Sequence, residues 1–223
     1  MKTQLFYLLL AIGVVFTQSC DEIDNLSGGA SAPEVTYSAT TYEAEFYKAG
    51  NSATPSIDWN GSQGSASLGT MIDGLSVNST TGQLQWTKLL PPGTHDVEVV
   101  VTNSEGQVVI PMTISNPLRG KFAGTMTESG RPLEGDIEFA SDGSASLYVR
   151  DSDRTFTTDD YTIQSDGSVL VQLTRTSSET KVTFIGDLNQ TKDPAEYSGF
   201  WYNGHVTGPE AGSEAGEFTL HLE

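Results

Sequence analysis

Ser141-Asp142-Gly143-Ser144 with the run ASLYVR after it (145–150), and Ser165-Asp166-Gly167-Ser168 with VLVQLTR after it (169–175), decide the fold. An Asp-Gly turn between strand-like runs is a strong hairpin signal, because its positive-φ backbone matches the right-handed twist of the strands it joins. Two copies of one device in a single stretch predict hairpins in series, which make an up-and-down antiparallel sheet.

Working outward, eight segments from Gly120 onward read as strands: 120–127, 133–139, 145–150, 155–163, 169–174, 181–187, 196–205 and 216–222. Alternate residues of a strand share a face. The first segment carries Phe122, Gly124 and Met126 on one face; the last carries Phe218, Leu220 and Leu222, with Glu217, Thr219 and His221 on the other. Pairing of the first with the last would close a barrel and leave no exposed edge. The opening G-x-F-x-G (120–124) and the closing G-x-F-x-L-x-L (216–222) resemble small calycin-like barrels.

The preceding half carries shorter strand-like segments at 35–37, 42–47, 56–59, 75–77 and 83–87. Its clearest hairpin joins HDVEVVVT (95–102) to VVIPMTI (108–114) through Asn103-Ser104-Glu105-Gly106-Gln107. Pro111 has no N–H for a ladder, so it belongs at an edge or a bulge. GLSVNSTTGQL (74–84) reads as strand, tight turn, strand. It is similar to the G-L-x-[IV]-[ND]-x-x-T-G-x-[IL] signature of bacterial Ig-like and cadherin-like domains. PGTHDVEV (92–99) resembles the strand that follows in those families, with His95 where they carry an aromatic. The resemblance implies a sandwich of about 100 residues. The expected fold class is therefore all-β: an Ig-like β-sandwich (33–117) followed by an up-and-down antiparallel β-barrel or sandwich of about eight strands (118–223).

Before residue 33 the chain is an address and a leash. LFYLLLAIGVVF (5–16) is too short for a membrane span but suits a signal-peptide core. Ser19 and Cys20 follow, and Cys20 is the only cysteine of the 223 residues, so no disulfide can form within one chain. This segment resembles a bacterial lipoprotein signal, with Thr17 standing where Leu is usual. The resemblance implies a signal peptide over 1–19, lipid attachment at Cys20 and membrane anchoring through acyl chains. Asp21, Glu22 and Asp24 resemble the acidic surface-export tether of Bacteroidetes-type lipoproteins. Residues 20–32 then form a flexible, Gly/Ser-containing tether, and the expected location is the outer membrane, at the cell surface.

Eleven Lys+Arg against 29 Asp+Glu give a formal charge of −18, which argues against nucleic acid as a partner, since phosphate backbones are held through Lys and Arg. His95, His205 and His221 have no metal-ligand spacing. Asp58, Asp73 and Asp96 are scattered and read as strand-end acids, and no cofactor is expected. Asp151/Asp153 and Asp159/Asp160 are the closest carboxylate pairs; the first would share a face if it lay in a strand. The densest aromatic group is Tyr197, Phe200, Trp201 and Tyr202. Aromatic rings stack on sugars and also fill barrel interiors, so Trp201, Tyr202 and Tyr197 are candidate ligand-binding residues as well as candidate core. The expectation is a non-catalytic, lipid-anchored surface binding protein whose partner is a glycan, as an accessory to outer-membrane uptake. The alternatives are a structural or adhesion lipoprotein docking to an outer-membrane protein, and a hydrolase using Asp151 and Asp153.

Overall fold

The computed structural model describes residues 30–158 and 161–223. Cys20, Asp21, Glu22, Asp24 and the Asp159/Asp160 pair lie outside the described residues. The fold is all-β, as the alternation demands.

Among the described residues the first half holds nine strands: β1 (Glu34–Thr36), β2 (Thr41–Glu43), β3 (Gly50–Asn51), β4 (Ser56–Asp58), β5 (Ser65–Leu68), β6 (Leu75–Val77), β7 (Leu84–Trp86), β8 (Gly93–Thr102) and β9 (Gln107–Asn116). They form a sheet ordered β2-β9-β8-β5, a second ordered β3-β7-β6, and the pair β1-β4. Val97, Val99 and Val101 of β8 point inward, packing with Leu84, Leu90 and Ile114, while Asp96 and Glu98 point out. Pro111 pairs with Glu98 of β8, and β2 reaches only Thr113–Ser115 on the other side, so its missing N–H falls at an edge. In the 74–84 stretch, Asn78 Oδ1 accepts the Thr80 and Thr81 amides, and the Tyr37 hydroxyl donates to the Gly82 carbonyl. The turn expected from Asn, Thr and Gly is therefore held by its own side chain and by β1's neighbour.

The strand expected over 42–47 stops at Glu43. Phe46 leaves the sandwich core and joins the core of the second half, 6.2 Å from Phe122 between ring centroids. Period-2 alternation in YEAEFY marks faces, but not which core a face belongs to.

The second half contains β10 (Gly120–Glu128), β11 (Arg131–Phe139), β12 (Ala145–Val149), β13 (Arg154–Thr158), β14 (Tyr161–Ile163), β15 (Val169–Arg175), β16 (Lys181–Asn189), β17 (Glu196–Asn203) and β18 (Glu214–Leu222). Eight of these close a barrel in the order β13-β12-β11-β10-β18-β17-β16-β15, the ring being completed by Phe156↔Arg175 and Thr157↔Thr174. The first and last strands pair as expected, Phe122↔Leu222, Gly124↔Leu220 and Met126↔Phe218. The segment expected as one strand over 155–163 is two. β13 closes the ring against one end of β15, and β14 pairs with its other end through Tyr161↔Val171.

The repeated turns share one structure. Gly143 and Gly167 take φ of +88° and +87°. Asp142 and Asp166 each accept the amide and the hydroxyl of the Ser two residues on. These hydrogen bonds hold both carboxyls below the usual carboxylate range.

The two ends of the barrel differ. At the base, Phe122, Phe139, Tyr161 and Tyr197 form an edge-to-face stack with centroids 5.0–6.3 Å apart, and Phe46 packs onto it from the sandwich. Gln190 Nε2 donates to the Lys88 and Leu90 carbonyls at 2.7 and 3.1 Å, and Lys88 lies 4.7 Å from the Tyr47 ring centre. The base is thus filled and tied to the sandwich. The far end, where the β10–β11, β12–β13, β15–β16 and β17–β18 connections lie, carries the openings described next.

Candidate functional site

The aromatic group of β17 splits by alternation. Tyr197 and Trp201 point into the barrel; Phe200 and Tyr202 point out. Tyr197 is fully buried, packs 4.7 Å from Phe218, and donates its hydroxyl to the Val169 carbonyl at 3.0 Å. Burial pushes its phenol far above the ordinary range. It is a core residue, and the reading of Tyr197 as a ligand contact is corrected: closure of the ring surrounds it with other strands.

Trp201 lies 6.2 Å from Phe184 in a stacked pair, its Nε1 donating to the Thr127 carbonyl at 2.7 Å. Gly216 makes room for it, since a Cβ there would sit 2.6 Å from Nε1 and 1.9 Å from the Thr127 oxygen. Only 7% of Trp201 is exposed. It is a wall between two openings rather than a platform.

Tyr202 is 1% exposed although it faces outward. The connection after β17 folds back over it. Thr183 Oγ1 donates to the Gly204 carbonyl and accepts the Val206 amide, and Gln172 Nε2 donates to the Val206 carbonyl. Tyr202, Leu170, Ile185 and Val206 form a small separate core there. Burial, then the charge of Glu214, raises the Tyr202 phenol. It too is no surface platform, because the loop, not its strand, decides its exposure.

Phe200 is the aromatic that remains open, at 38% exposure. It borders a groove of about 340 Å³ on the outer wall, together with Asp187, Ser198, Gln164, Pro209 and Glu214. Ser198 shares the outer face of β17 with Phe200.

At the open end, a cavity of about 70 Å³ enters the barrel between Met126, Leu133, Leu147, Val149, Phe156, Val182, Phe184 and Trp201. Arg154 and Glu128 stand at its mouth, the Arg154 Nη1 and Nη2 each 3.3 Å from a Glu128 oxygen. A rim groove of about 720 Å³ shares Glu128, Trp201 and Asn203 with it. Sequence reasoning passed over Phe200 as a separate site and passed over Arg154. The signal was present: R-T-F places the arginine on an apolar row.

The acidic pair 151/153 does not lie in a strand. Residues 150–152 form a 3-10 turn, and Asp153 follows at φ +49°. Asp151 accepts the Glu134 amide at 2.6 Å and Asp153 accepts the Tyr148 hydroxyl at 3.1 Å. Each carboxylate thus braces a neighbouring strand, Asp151 holding β11 and Asp153 holding β12. The histidines lie apart: His95 contacts the Pro91 carbonyl, His205 the Leu173 carbonyl, and His221 stands 4.0 Å from Glu196. Among the described residues, no group of three or more His, Cys, Asp or Glu side chains is placed to hold a metal, and no helix is long and apolar enough to cross a membrane.

No protein-family pattern and no curated protein sequence matches the chain. Among solved structures it is similar to Drosophila N-cadherin EC1-4, at 14% identity and a TM-score of 0.35, over 75% of this chain and 47% of that one. It is also similar to a quinonprotein alcohol dehydrogenase-like protein from Bacteroides thetaiotaomicron VPI-5482, at 14% identity and a TM-score of 0.30, over 86% of this chain and 62% of that one. The chain thus spans less than two thirds of either neighbour.

Proposed function

We propose that the protein is a non-catalytic, lipid-anchored surface binding protein, and that the outer-wall groove at Phe200 is where it holds a glycan. A pyranose ring offers a C–H face that stacks on an aromatic and an edge of hydroxyls that carboxylates and amides bind. The carrying observation is Phe200: a ring left open on the barrel wall, in a groove bordered by Asp187 and Glu214 and by the hydroxyl and amide of Ser198 and Gln164. The bracing roles of Asp151 and Asp153 support a binding rather than a hydrolytic reading.

The test is affinity electrophoresis against a polysaccharide panel, with a glycan array on the purified protein. Retardation by at least one polysaccharide is expected, with Phe200→Ala weakening it about tenfold, the loss of about 1.4 kcal/mol. Absence of binding across the panel, or Phe200→Ala behaving as wild type, overturns the reading.

A second reading, docking to another surface protein, is favoured by Met71 and Leu89, which are 95% and 39% exposed on the sandwich. A stoichiometric outer-membrane partner, recovered without sugar and lost on Met71→Glu, would select it.

A further inference from the structure

We propose that the groove at Phe200 is one end of a longer cleft that continues onto the sandwich, and that its ligand is a linear oligosaccharide free of acidic groups. This rests on the glycan reading above and deepens it.

A second groove, of about 710 Å³, lies where the barrel base meets the sandwich. The sandwich lines it with Asp73, Leu89, Pro91 and Pro92, and the barrel with Ile163 and residues 187–191. Asp166 and Asp187 line this groove and the Phe200 groove alike, so the two are continuous across that pair. β16 runs along both: Ile185 and Gly186 border the Phe200 groove, Leu188 and Asn189 the junction groove. At about 3.3 Å per strand residue, Ile185 to Asn189 alone spans about 13 Å. The Phe200 groove by itself, about 340 Å³, stands at the bottom of the ~300–1,000 Å³ range of ligand clefts. The junction groove more than doubles that space, which suits a chain of several rings rather than one sugar. Its floor is preformed, because Gln190 ties the barrel to the Lys88 and Leu90 carbonyls of the sandwich. A ligand crossing from one half to the other therefore meets a fixed surface and spends little on ordering it.

The class of sugar follows from the lining. Phe200 offers an apolar face at one end, and Leu89, Pro91 and Leu188 offer another at the far end, so C–H faces of successive rings have somewhere to lie. Between and beside them stand Asp73, Asp166, Asp187 and Glu214, and among the described residues no Lys, Arg or His lines either groove. Lys88 turns its ammonium to the Tyr47 hydroxyl at 2.8 Å and to Asp193 at 3.5 Å. Asp166 accepts both of its bonds from Ser168 at Oδ1, leaving Oδ2 to accept from a ligand. Ionised carboxylates take hydroxyl donors more strongly than neutral acceptors do. The hydroxyls of an uncharged sugar are such donors. A uronate or sulfate group would instead meet four carboxylates with no opposite charge, a juxtaposition that costs affinity.

The experiment is calorimetric titration of the purified full chain with trisaccharide and hexasaccharide fragments of amylose, xylan, β-mannan and cellulose, and with hexasaccharides of polygalacturonate and alginate as the acidic arm. At least one neutral series should bind, the hexasaccharide about tenfold more tightly than the trisaccharide. Leu89→Ala and Asp73→Ala, both at exposed positions of the sandwich, should each cut that ratio to about threefold or less. Phe200→Ala should weaken both lengths. The acidic hexasaccharides should bind at least about tenfold more weakly than the neutral one, and Asp187→Asn should narrow that gap. Equal affinity for the two lengths, or an unchanged ratio in both sandwich variants, would overturn the two-half cleft while leaving a glycan at Phe200 standing. Acidic and neutral hexasaccharides bound equally would overturn the charge class alone. No neutral hexasaccharide bound, where the wider polysaccharide panel still shows Phe200-dependent retardation, would overturn this inference and spare the glycan reading; no binding in either experiment would overturn both.

Discussion

Phe46 belongs in sequence to the sandwich and in space to the barrel, so truncating it should destabilise the barrel. It is 5% exposed, packs on Phe122, and closes the base beside Leu118. Phe→Ala in a core costs about 3–5 kcal/mol, the lower end applying where neighbours can relax. The lower end of that range puts the expected loss at about 3 kcal/mol. With a urea m-value of about 1.5 kcal/mol per M, the midpoint should fall by about 2 M. The three tryptophans separate the halves: Trp59 and Trp86 report on the sandwich, and Trp201 alone reports on the barrel. In a Trp59→Phe/Trp86→Phe background, Phe46→Ala should therefore lower the Trp201 transition. A Trp201 midpoint that moved by less than about 0.3 M, well below the expected shift, would refute the claim that this residue plugs the barrel.

Four further outcomes are expected. The hydrogen bonds that lower the Asp142 and Asp166 carboxyls give stability that is present above the unfolded carboxylate value and is lost as pH falls through the depressed folded values. Urea midpoints of the Asp142→Asn/Asp166→Asn protein should accordingly fall less steeply on acidification below pH ~4 than those of wild type. Burial raises Tyr37 to about 12 and lifts Tyr197 and Tyr202 as well; ultraviolet titration should show phenolate missing near pH ~11 until the protein unfolds, and stability contributed by these neutral phenols should decline as pH rises past ~10. Gly216→Ala should cost more than about 2 kcal/mol by overpacking and by loss of the Trp201–Thr127 hydrogen bond, seen as a lowered melting temperature with red-shifted emission. Cys20→Ser should move the protein from the detergent to the aqueous phase of a Triton X-114 extraction and abolish palmitate labelling; wild-type protein found unlabelled in the aqueous phase would sink the anchor.

The sequence by itself determined the faces and the turns. The Asp-Gly repeats specify their hairpins because the carboxylate and the glycine build the turn without outside help. The apolar rows of 122–126 and 218–222 meet in the expected register because side-chain period in a strand is two, and a slip by one residue would turn each row to water. Asn78 caps its own turn for the same local reason. Other elements were illegible in part. Ser65–Leu68 offers the core only the small Ala66 and a half-buried Leu68, an apolar rhythm too short to announce β5. The alternation of 42–47 could not tell the sandwich interior from the barrel base. Tertiary structure alone decided which aromatic of β17 stays open: Tyr202 and Phe200 share a face, and only the connection folding over Val206 and Thr183 covers one and leaves the other. It alone set Arg175 opposite Phe156, because the β13–β15 pairing that closes the ring joins residues far apart in the chain. Local pattern encodes which way a side chain points; what it meets there depends on closure and cover, which are properties of the whole chain.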